Sequence, residues 1–262
     1  MRDIRLQEME KAIRGAGTIS MEALCDRFQV SMHTVRRDVA ELERRGVAHK
    51  IYGGVTALEK NVHSLISFDE RAIVHEKEKR ECCRVAAELV EDGDVIFIDS
   101  GTTVPAMVDF LSRKNGITII TNNLDVILRA MPYDNLDVIV LPGRLRRKTH
   151  SMTGSQTISG LRGYNIRKAF MATTGTTENM VTNSSPNEFE VKQTAMATIP
   201  ERILMLTSDK FGHAGLMNYA SFGDFQAIVT DCVPEEPFRS ALAGCGARIF
   251  YASEIREEKI TE

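Results

Sequence analysis

Long apolar runs are missing from this 262-residue chain. No stretch reaches the ~20 residues needed to span a bilayer. No signal peptide opens the sequence, so a cytoplasmic protein with no membrane partner is expected. Cysteine is sparse and unpatterned: Cys25, Cys82, Cys83, Cys232 and Cys245. An odd count without paired spacing argues against a disulfide framework. The adjacent Cys82 and Cys83 sit in a helical pattern and read as packing. The six histidines (33, 49, 63, 75, 150 and 213) lack ligand spacing, so neither a metal site nor a cofactor is expected. Strong net charge is missing as well, at −3 overall. Residues 1–60 hold 11 Lys+Arg against 9 Asp+Glu, and the remainder 22 against 27, balances of +2 and −5. Any nucleic-acid footprint must therefore come from local clustering. No internal repeat or low-complexity tract is evident.

What is present begins with residues 31–46, SMHTVRRDVAELERRG. Val35, Val39 and Leu42 fall at i, i+4, i+7, one buried helical face. Ser31 suits the N-cap, where its hydroxyl accepts from an orphan N–H of the first turn. Gly46 suits the left-handed position that ends a helix. The opposite face opens with His33, Thr34, Arg36 and Arg37, groups suited to base edges and phosphates in a major groove. A short helix over 21–28 precedes it, joined through Gln29 and Val30. Leu6, Met9, Ile13 and Ile19 supply a first helix and its exit. After Gly46 a two-stranded wing is expected, with Lys50 able to reach a phosphate, Tyr52 packing or at the sugar edge, and a Gly53-Gly54 turn. An ordinary surface helix bearing two arginines is the plain alternative for the 16-residue window alone. Two helices, a tight turn, a capped basic helix and a wing within 60 residues favour double-stranded operator DNA as the partner.

Residues 64–80 are charged and read as a linker leading into a helix that residues 85–90 finish, and beyond it apolar runs alternate with helical patterns. Strands are expected over 94–99, 116–121, 136–141, 167–173, 202–207, 227–231 and 247–251. Helices are expected over 103–114, 123–131, 152–162, 187–199 and 236–244. That alternation predicts an α/β domain with a mainly parallel sheet, its strands buried on both faces. The expected boundaries are a winged helix-turn-helix domain over 1–58, a linker over 59–76 and the α/β domain over 77–255.

Such sheets bind ligands beyond the carboxyl ends of their strands. Asp99, Ser100, Gly101, Thr102 and Thr103 follow the first strand and are expected to open a helix. Gly101 would let backbone approach a ligand, and the hydroxyls and helix N–H groups would suit a phosphate. A simple helix cap fits the same loop. Thr121, Asn122 and Asn123 end the second strand, where an amide is a sugar-hydroxyl or capping candidate. Gly143 and a basic run over 144–148 follow the third strand, the run fitting anion capture or a solvated loop. Thr174 stands in a hydroxyl-rich stretch after the fourth strand. Glu188 and Lys192, at i, i+4, fit either the ligand rim or a surface ion pair. Lys210 follows the fifth strand as a point charge or a cap.

Together these segments resemble the DeoR family of bacterial sugar-metabolism regulators. The resemblance covers about residues 1–250. It is carried by VSMHTVRRDVAELERRGVAHKIYGG, FDER (68–71), EDGDVIFIDSGTT (91–103), TNN (121–123), PG (142–143), Gly154, EFEVK (188–192) and DKFG (209–212). It implies a C-terminal domain similar to ribose-5-phosphate isomerase that binds a phosphorylated sugar and thereby releases DNA. By position, Ser31, His33, Thr34, Arg36 and Arg37 would face DNA, and Ser100, Gly101, Thr102 and Thr103 would hold phosphate. Asn122 and Lys192 would line the sugar end, with Lys210 nearby. The chain departs from the family at Thr174 and Thr207, where aspartates are usual, and at Arg144, where a second glycine is usual.

The leading expectation is a repressor of a carbohydrate operon, released by a phosphorylated sugar and acting as a dimer or tetramer. A mildly basic module offers few phosphate contacts, which favours self-association. A rival is a sugar-phosphate isomerase with an attached DNA-binding module. Its carboxylate base would have to be Asp99, Glu188 or Glu190. A third reading is a constitutive DNA binder whose C-terminal domain only oligomerises.

Overall fold

The computed structural model describes residues 2–16, 18–44, 47–51, 54–57 and 68–254. The chain divides into two compact units, Met1–Leu65 and Ile66–Glu262.

In the first unit the elements run α1 (Arg2–Ala16), β1 (Thr18–Ser20), α2 (Met21–Phe28), α3 (Met32–Arg44), β2 (Ala48–Ile51) and β3 (Gly54–Ala57). Val35, Val39 and Leu42 are all buried, against Leu6, Met9, Ile13 and Leu24. The expected α3 face is therefore the core of the unit. Ser20 caps α2 through its hydroxyl, which accepts from the Ala23 N–H at 3.0 Å. Gln29 ends α2 in the left-handed region at φ 50°, its N–H on the Cys25 carbonyl. The wing has three strands, not the two expected: β3 pairs antiparallel with both β2 and β1. β1 is three residues long, too short for an alternation signal. Gly54 is required by this extra pairing, because a Cβ there would lie 2.7 Å from the Ile19 carbonyl oxygen. Gly46, Tyr52 and Gly53 lie outside the described residues.

The second unit opens with α4 (Phe68–Ile73) and α5 (Glu76–Glu88), followed by β4 (Val95–Ile98), α6 (Met107–Leu111), β5 (Ile117–Thr121), α7 (Leu124–Ala130) and β6 (Leu136–Val140). Then come β7 (Arg144–Arg146), β8 (Ser151–Thr153), α8 (Ser155–Arg162), β9 (Lys168–Ala172), β10 (Gly175–Thr176), β11 (Met180–Asn183) and α9 (Pro186–Thr198). The chain finishes with β12 (Glu201–Met205), β13 (Met217–Ser221), β14 (Ala227–Thr230), α10 (Phe238–Gly244) and β15 (Arg248–Tyr251).

Seven strands form one sheet in the order β15-β14-β12-β9-β4-β5-β6, every pairing parallel. These are the seven apolar runs of the sequence, and helices cover both faces with two buried clusters. From β4 the chain moves outward one way through β5 and β6. From β9 it moves the other way through β12, β14 and β15. The order therefore reverses between β4 and β9, and the crevice beyond their carboxyl ends is the switch point where such sheets bind ligands.

Several local expectations fail. The helix expected from 103 begins only at Met107 and is five residues long, after a run of bends. Pro105 accounts for the delay, since a proline disfavours helical backbone in the residue before it. Residues 152–153, expected in a helix, belong to β8, and the basic run enters a β7–β8 hairpin. A three-stranded sheet, β10-β11-β13, has strands too short or too polar to announce themselves. Helix α4 lies inside the stretch read as linker, with Phe68 buried against the His150 ring at a centroid distance of 4.6 Å.

Candidate DNA-reading helix and sensor cleft

Helix α3 divides cleanly. Its apolar stripe is buried, while Ser31, His33, Arg36 and Arg37 are exposed and Thr34 is partly so. Ser31 caps the helix: its Oγ accepts from the Thr34 N–H at 3.3 Å and lies 3.0 Å from the Thr34 hydroxyl. Two of the expected DNA contacts thus also hold the first turn in place. Asp38, buried on this helix, accepts from Arg5 Nε at 2.7 Å and ties α3 to α1. Lys50 is half-buried, its N–H on Glu43 at 3.1 Å and its ammonium 3.6 Å from the same carboxylate. Of the expected DNA contacts it is the one whose charge is matched inside the protein.

In the second unit the crevice is built on a buried ion pair. Asp99, at the end of β4, is fully buried, and one carboxylate oxygen accepts from Lys192 Nζ and from the Ala172 N–H at 3.0 Å. Lys192 also donates to the Ala172 carbonyl at 2.8 Å and lies 5.3 Å from the centre of the Tyr219 ring. Burial pushes the Asp99 carboxyl up against the opposing pull of Lys192 and the Ala172 N–H. Lys192 is thus committed to the floor of the site and does not reach out as a free cation. Glu188, one turn earlier on α9, accepts from the Ser151 hydroxyl at 2.8 Å and is itself buried. The surface ion pair suggested by the i, i+4 spacing does not form.

The glycines have packing reasons. At Gly101 φ is +122°, and a Cβ would lie 2.8 Å from that of Ala172 on β9. Gly143, at φ +151°, would overlap the Thr157 hydroxyl. Packing alone therefore requires a glycine at both positions, against the Ala172 side chain on β9 and against Thr157 on α8. Ser100 and Thr103 are buried and Thr102 partly exposed. Since α6 starts four residues later, the helix dipole expected at this loop is not there. The helix whose first two turns do line the crevice is α9, through Glu188 and Lys192.

Around this floor stand cations. Lys210 is buried and 3.0 Å from Asp209. Although burial opposes it, Lys210 and the Thr207 hydroxyl, at 2.5 Å, hold the Asp209 carboxyl below its usual range. Lys79, on α5, donates to the Arg71 carbonyl. Burial, with Lys210 and Arg71 nearby, pushes its ammonium down to about 8. Burial also lowers Arg71, opposed by Glu188. The group Arg71, Lys79, Lys192 and Lys210 faces Asp99, Glu188 and Asp209, which leaves one positive charge over. Asn122 donates to the Met152 carbonyl at 2.9 Å, while its buried Oδ1 has no partner among the described residues. The same holds for the Ser184 hydroxyl oxygen, whose backbone N–H donates to Thr174 at 3.2 Å. Buried polar atoms left unmatched inside the protein are what a polar, anionic ligand would satisfy.

Residues 5–61 match the DeoR-like helix-turn-helix domain, and residues 74–232 match the DeoR C terminal sensor domain. The chain belongs to the DeoR family. A DeoR-family chain of this kind is a DNA-binding transcriptional regulator, which agrees with the resemblance carried by the motifs. It is 41% identical over 231 residues, 88% of this chain and 91% of the other, to the HTH-type transcriptional regulator IolR of Bacillus subtilis (strain 168). It is 33% identical over 234 residues, 88% of this chain and 93% of the other, to the lactose phosphotransferase system repressor of Streptococcus mutans serotype c. Among solved structures it is similar to ribose 5-phosphate isomerase A from Methanocaldococcus jannaschii, at 16% identity and TM-score 0.38. That likeness covers 52% of this chain and 54% of the other and concerns the fold alone.

Within this DeoR-family sensor unit, sequence reasoning overlooked three contributors. Arg71 lay in a motif noted only for its resemblance, and Lys79 in a charged stretch taken for a helix lead-in. Ser151 belongs to a strand that was read as the approach to a helix. Asn123 takes the capping role expected at this strand end, accepting from the Asp125 N–H at 3.0 Å, and also braces the Asp99 loop, donating at 3.0 Å to both the Asp99 and Gly101 carbonyls. No cluster of His, Cys, Asp and Glu able to hold a metal occurs among the described residues. No helix among them is long and apolar enough to cross a membrane.

Proposed function

We propose that this DeoR-family protein is a repressor of a carbohydrate uptake or catabolism operon, released from its operator when a phosphorylated sugar or sugar derivative enters the crevice between β4 and β9. The observation that carries this reading is the surplus of buried and half-buried cations around that switch point, beside buried Asn122 and Ser184 oxygens without a partner among the described residues. A phosphate answers the cations, and hydroxyls of the sugar answer the amide and the serine. The names of the relatives, a lactose phosphotransferase system repressor among them, point the same way.

On the DNA side, α3 enters the major groove with Ser31, His33, Thr34, Arg36 and Arg37 toward it, and Lys50 serves a flanking phosphate. Two or more copies bind together, because one module offers few phosphate contacts. An effector can move the DNA-bound population only by its differential affinity for the two states, and a tenfold loss of DNA affinity needs about 1.4 kcal/mol of coupling.

The test is calorimetry and gel shift on the DNA upstream of the protein's own gene, with phosphorylated sugars and their free counterparts. Phosphorylated forms should bind and release DNA, and free forms should not. Thr102→Glu, which sets a carboxylate beside the crevice, should keep operator affinity and ignore the sugar phosphate. Equal affinity for phosphorylated and free sugars would remove the anion-sensing reading.

A further inference from the structure

We infer that Arg71 receives the phosphate of the effector, so that helix α4 is itself a wall of the sensor site and registers its occupancy. This deepens the function proposed above and rests on it.

The argument starts from what holds Arg71. Phe68 anchors the helix by packing at a tilt against the His150 ring, whose Nδ1 lies 3.2 Å from Asp125. The Arg71 carbonyl is fixed by Lys79, and the Arg71 guanidinium lies 5.6 Å from the centre of the Phe68 ring. The backbone and stem are thus tied down, while Nε is buried with no hydrogen-bond partner among the described residues. Several other arginines of this unit are matched. Arg80 and Arg129 share Asp109 at 2.5 and 2.7 Å. Arg146 donates to Asn187 at 2.6 Å, and Arg202 donates to three carbonyls. Even Arg84, which has one unmatched nitrogen, pairs with Glu81 at 3.0 Å. Glu188, the carboxylate whose field favours Arg71, is taken up by Ser151.

A guanidinium is costly to desolvate unless an acceptor meets it. Its planar fork of donors fits two oxygens of a phosphate monoester. Lys79 and Lys210 nearby add to the positive field, and Asp209, which pairs with Lys210, offsets only part of it. An oxyanion supplied from outside completes this arrangement. Because α4 is the first described helix after the DNA-binding unit in the chain, a ligand that ties Arg71 also tightens the segment nearest that unit in sequence.

The experiment uses the full chain and a panel of ribose 5-phosphate, glucose 6-phosphate, fructose 6-phosphate, myo-inositol 1-phosphate and inorganic phosphate. Gluconate tests a carboxylate in place of a phosphate. Wild type, Arg71→Ala, Arg71→Lys and the exposed control Arg113→Ala are compared by calorimetry and by hydrogen exchange over residues 68–74. Arg71→Ala should weaken binding of whichever phosphate the wild type takes by about 10- to 100-fold, with an unchanged melting temperature in the absence of phosphate. Arg71→Lys should restore part of the loss, and Arg113→Ala should behave as wild type. Binding should slow exchange over residues 68–74 in the wild type and not in Arg71→Ala. If the wild type binds a phosphate and Arg71→Ala binds it equally well, the inference fails while the effector reading stands. If gluconate binds better than every phosphate, Arg71 serves a carboxylate and the inference fails as stated. If the wild type binds none of the panel, the effector reading fails and takes this inference with it.

Discussion

The candidate DNA-reading helix and the candidate sensor crevice place their functional groups in opposite environments. On α3 the groups that would touch DNA project into water, and the residues that hold the helix lie on its other side. In the crevice the same side chains do both jobs. Asp99 and Lys192 are the most buried polar pair at the switch point, and they also form the floor on which a ligand would sit. A surface reader can therefore change its contacts without disturbing its fold, whereas this floor cannot. Function and stability are separable in the first unit and coupled at the Asp99–Lys192 floor of the second.

The sharpest way to break that contrast is Lys192→Met. It leaves the Asp99 carboxylate buried with little beyond the Ala172 N–H to compensate it. Removing one partner of a buried pair costs about 3–5 kcal/mol. Urea denaturation followed separately in the two units should show that loss in the second unit alone. A loss below about 1 kcal/mol would mean that the pair is not structural and that the contrast is false.

The complementary change is Arg36→Ala or Arg37→Ala. Each should leave stability within about 0.5 kcal/mol, as exposed substitutions do. Each should weaken operator binding: by about 1–3 kcal/mol at one base pair if a base contact is lost, or evenly across sequences with a shallower salt dependence if a phosphate contact is lost. Gel-shift titration at two salt concentrations separates the two cases. Unchanged affinity in both variants would take this helix off the DNA.

Asp38 tests whether the first unit obeys its own rule. It is the one strongly buried charge on α3, and Asp38→Ala removes its bond to Arg5. Arg5 is partly exposed and can rehydrate, so the cost should be about 1–2 kcal/mol, smaller than at Lys192. Thermal unfolding measures it. A cost as large as that of Lys192→Met would erase the difference between the units.

The same contrast explains what was legible beforehand. Val35, Val39 and Leu42 declare α3 because a surface helix must show one apolar stripe, and its exposed face is then whatever remains. The seven strands of the parallel sheet are declared by continuous apolar runs, since both of their faces are covered. The β10-β11-β13 sheet and the β7–β8 hairpin carry no such signal, being short and rich in Thr, Ser, Asn and Arg. Within the crevice, strand ends could be found from the pattern, but partners could not. Lys192 meets Asp99 across 93 residues, and Glu188 meets Ser151 across 37. Spacing along one helix suggested that Glu188 and Lys192 would meet each other. Tertiary pairing decided otherwise, because each had a better-placed buried partner. Arg71 and Lys79 were overlooked for a related reason: a charged stretch reads as solvated until the fold folds it inward.

The smallest expected effect concerns pH. Lys79 titrates near 8, below its ordinary 10.5, because burial and the cations Lys210 and Arg71 disfavour its charge, while Asp209 and Cys83 oppose them. Below pH 8 it is charged in both the folded and unfolded chain. Between 8 and 10.5 the folded chain sheds the proton that the unfolded chain keeps, so this group makes stability rise with pH across that window. A bound phosphate reverses the preference, since it favours the ammonium. Its own second ionisation, near pH 6, is complete before the window opens. Phosphate affinity should therefore fall as pH rises through about 8, by at most about tenfold per pH unit for one proton. Calorimetry in buffers of different ionisation enthalpy should record proton uptake above pH 8. Lys79→Arg keeps the charge but does not titrate there, so its profile should be flat. A wild-type profile equally flat would place Lys79 outside the field of the bound anion.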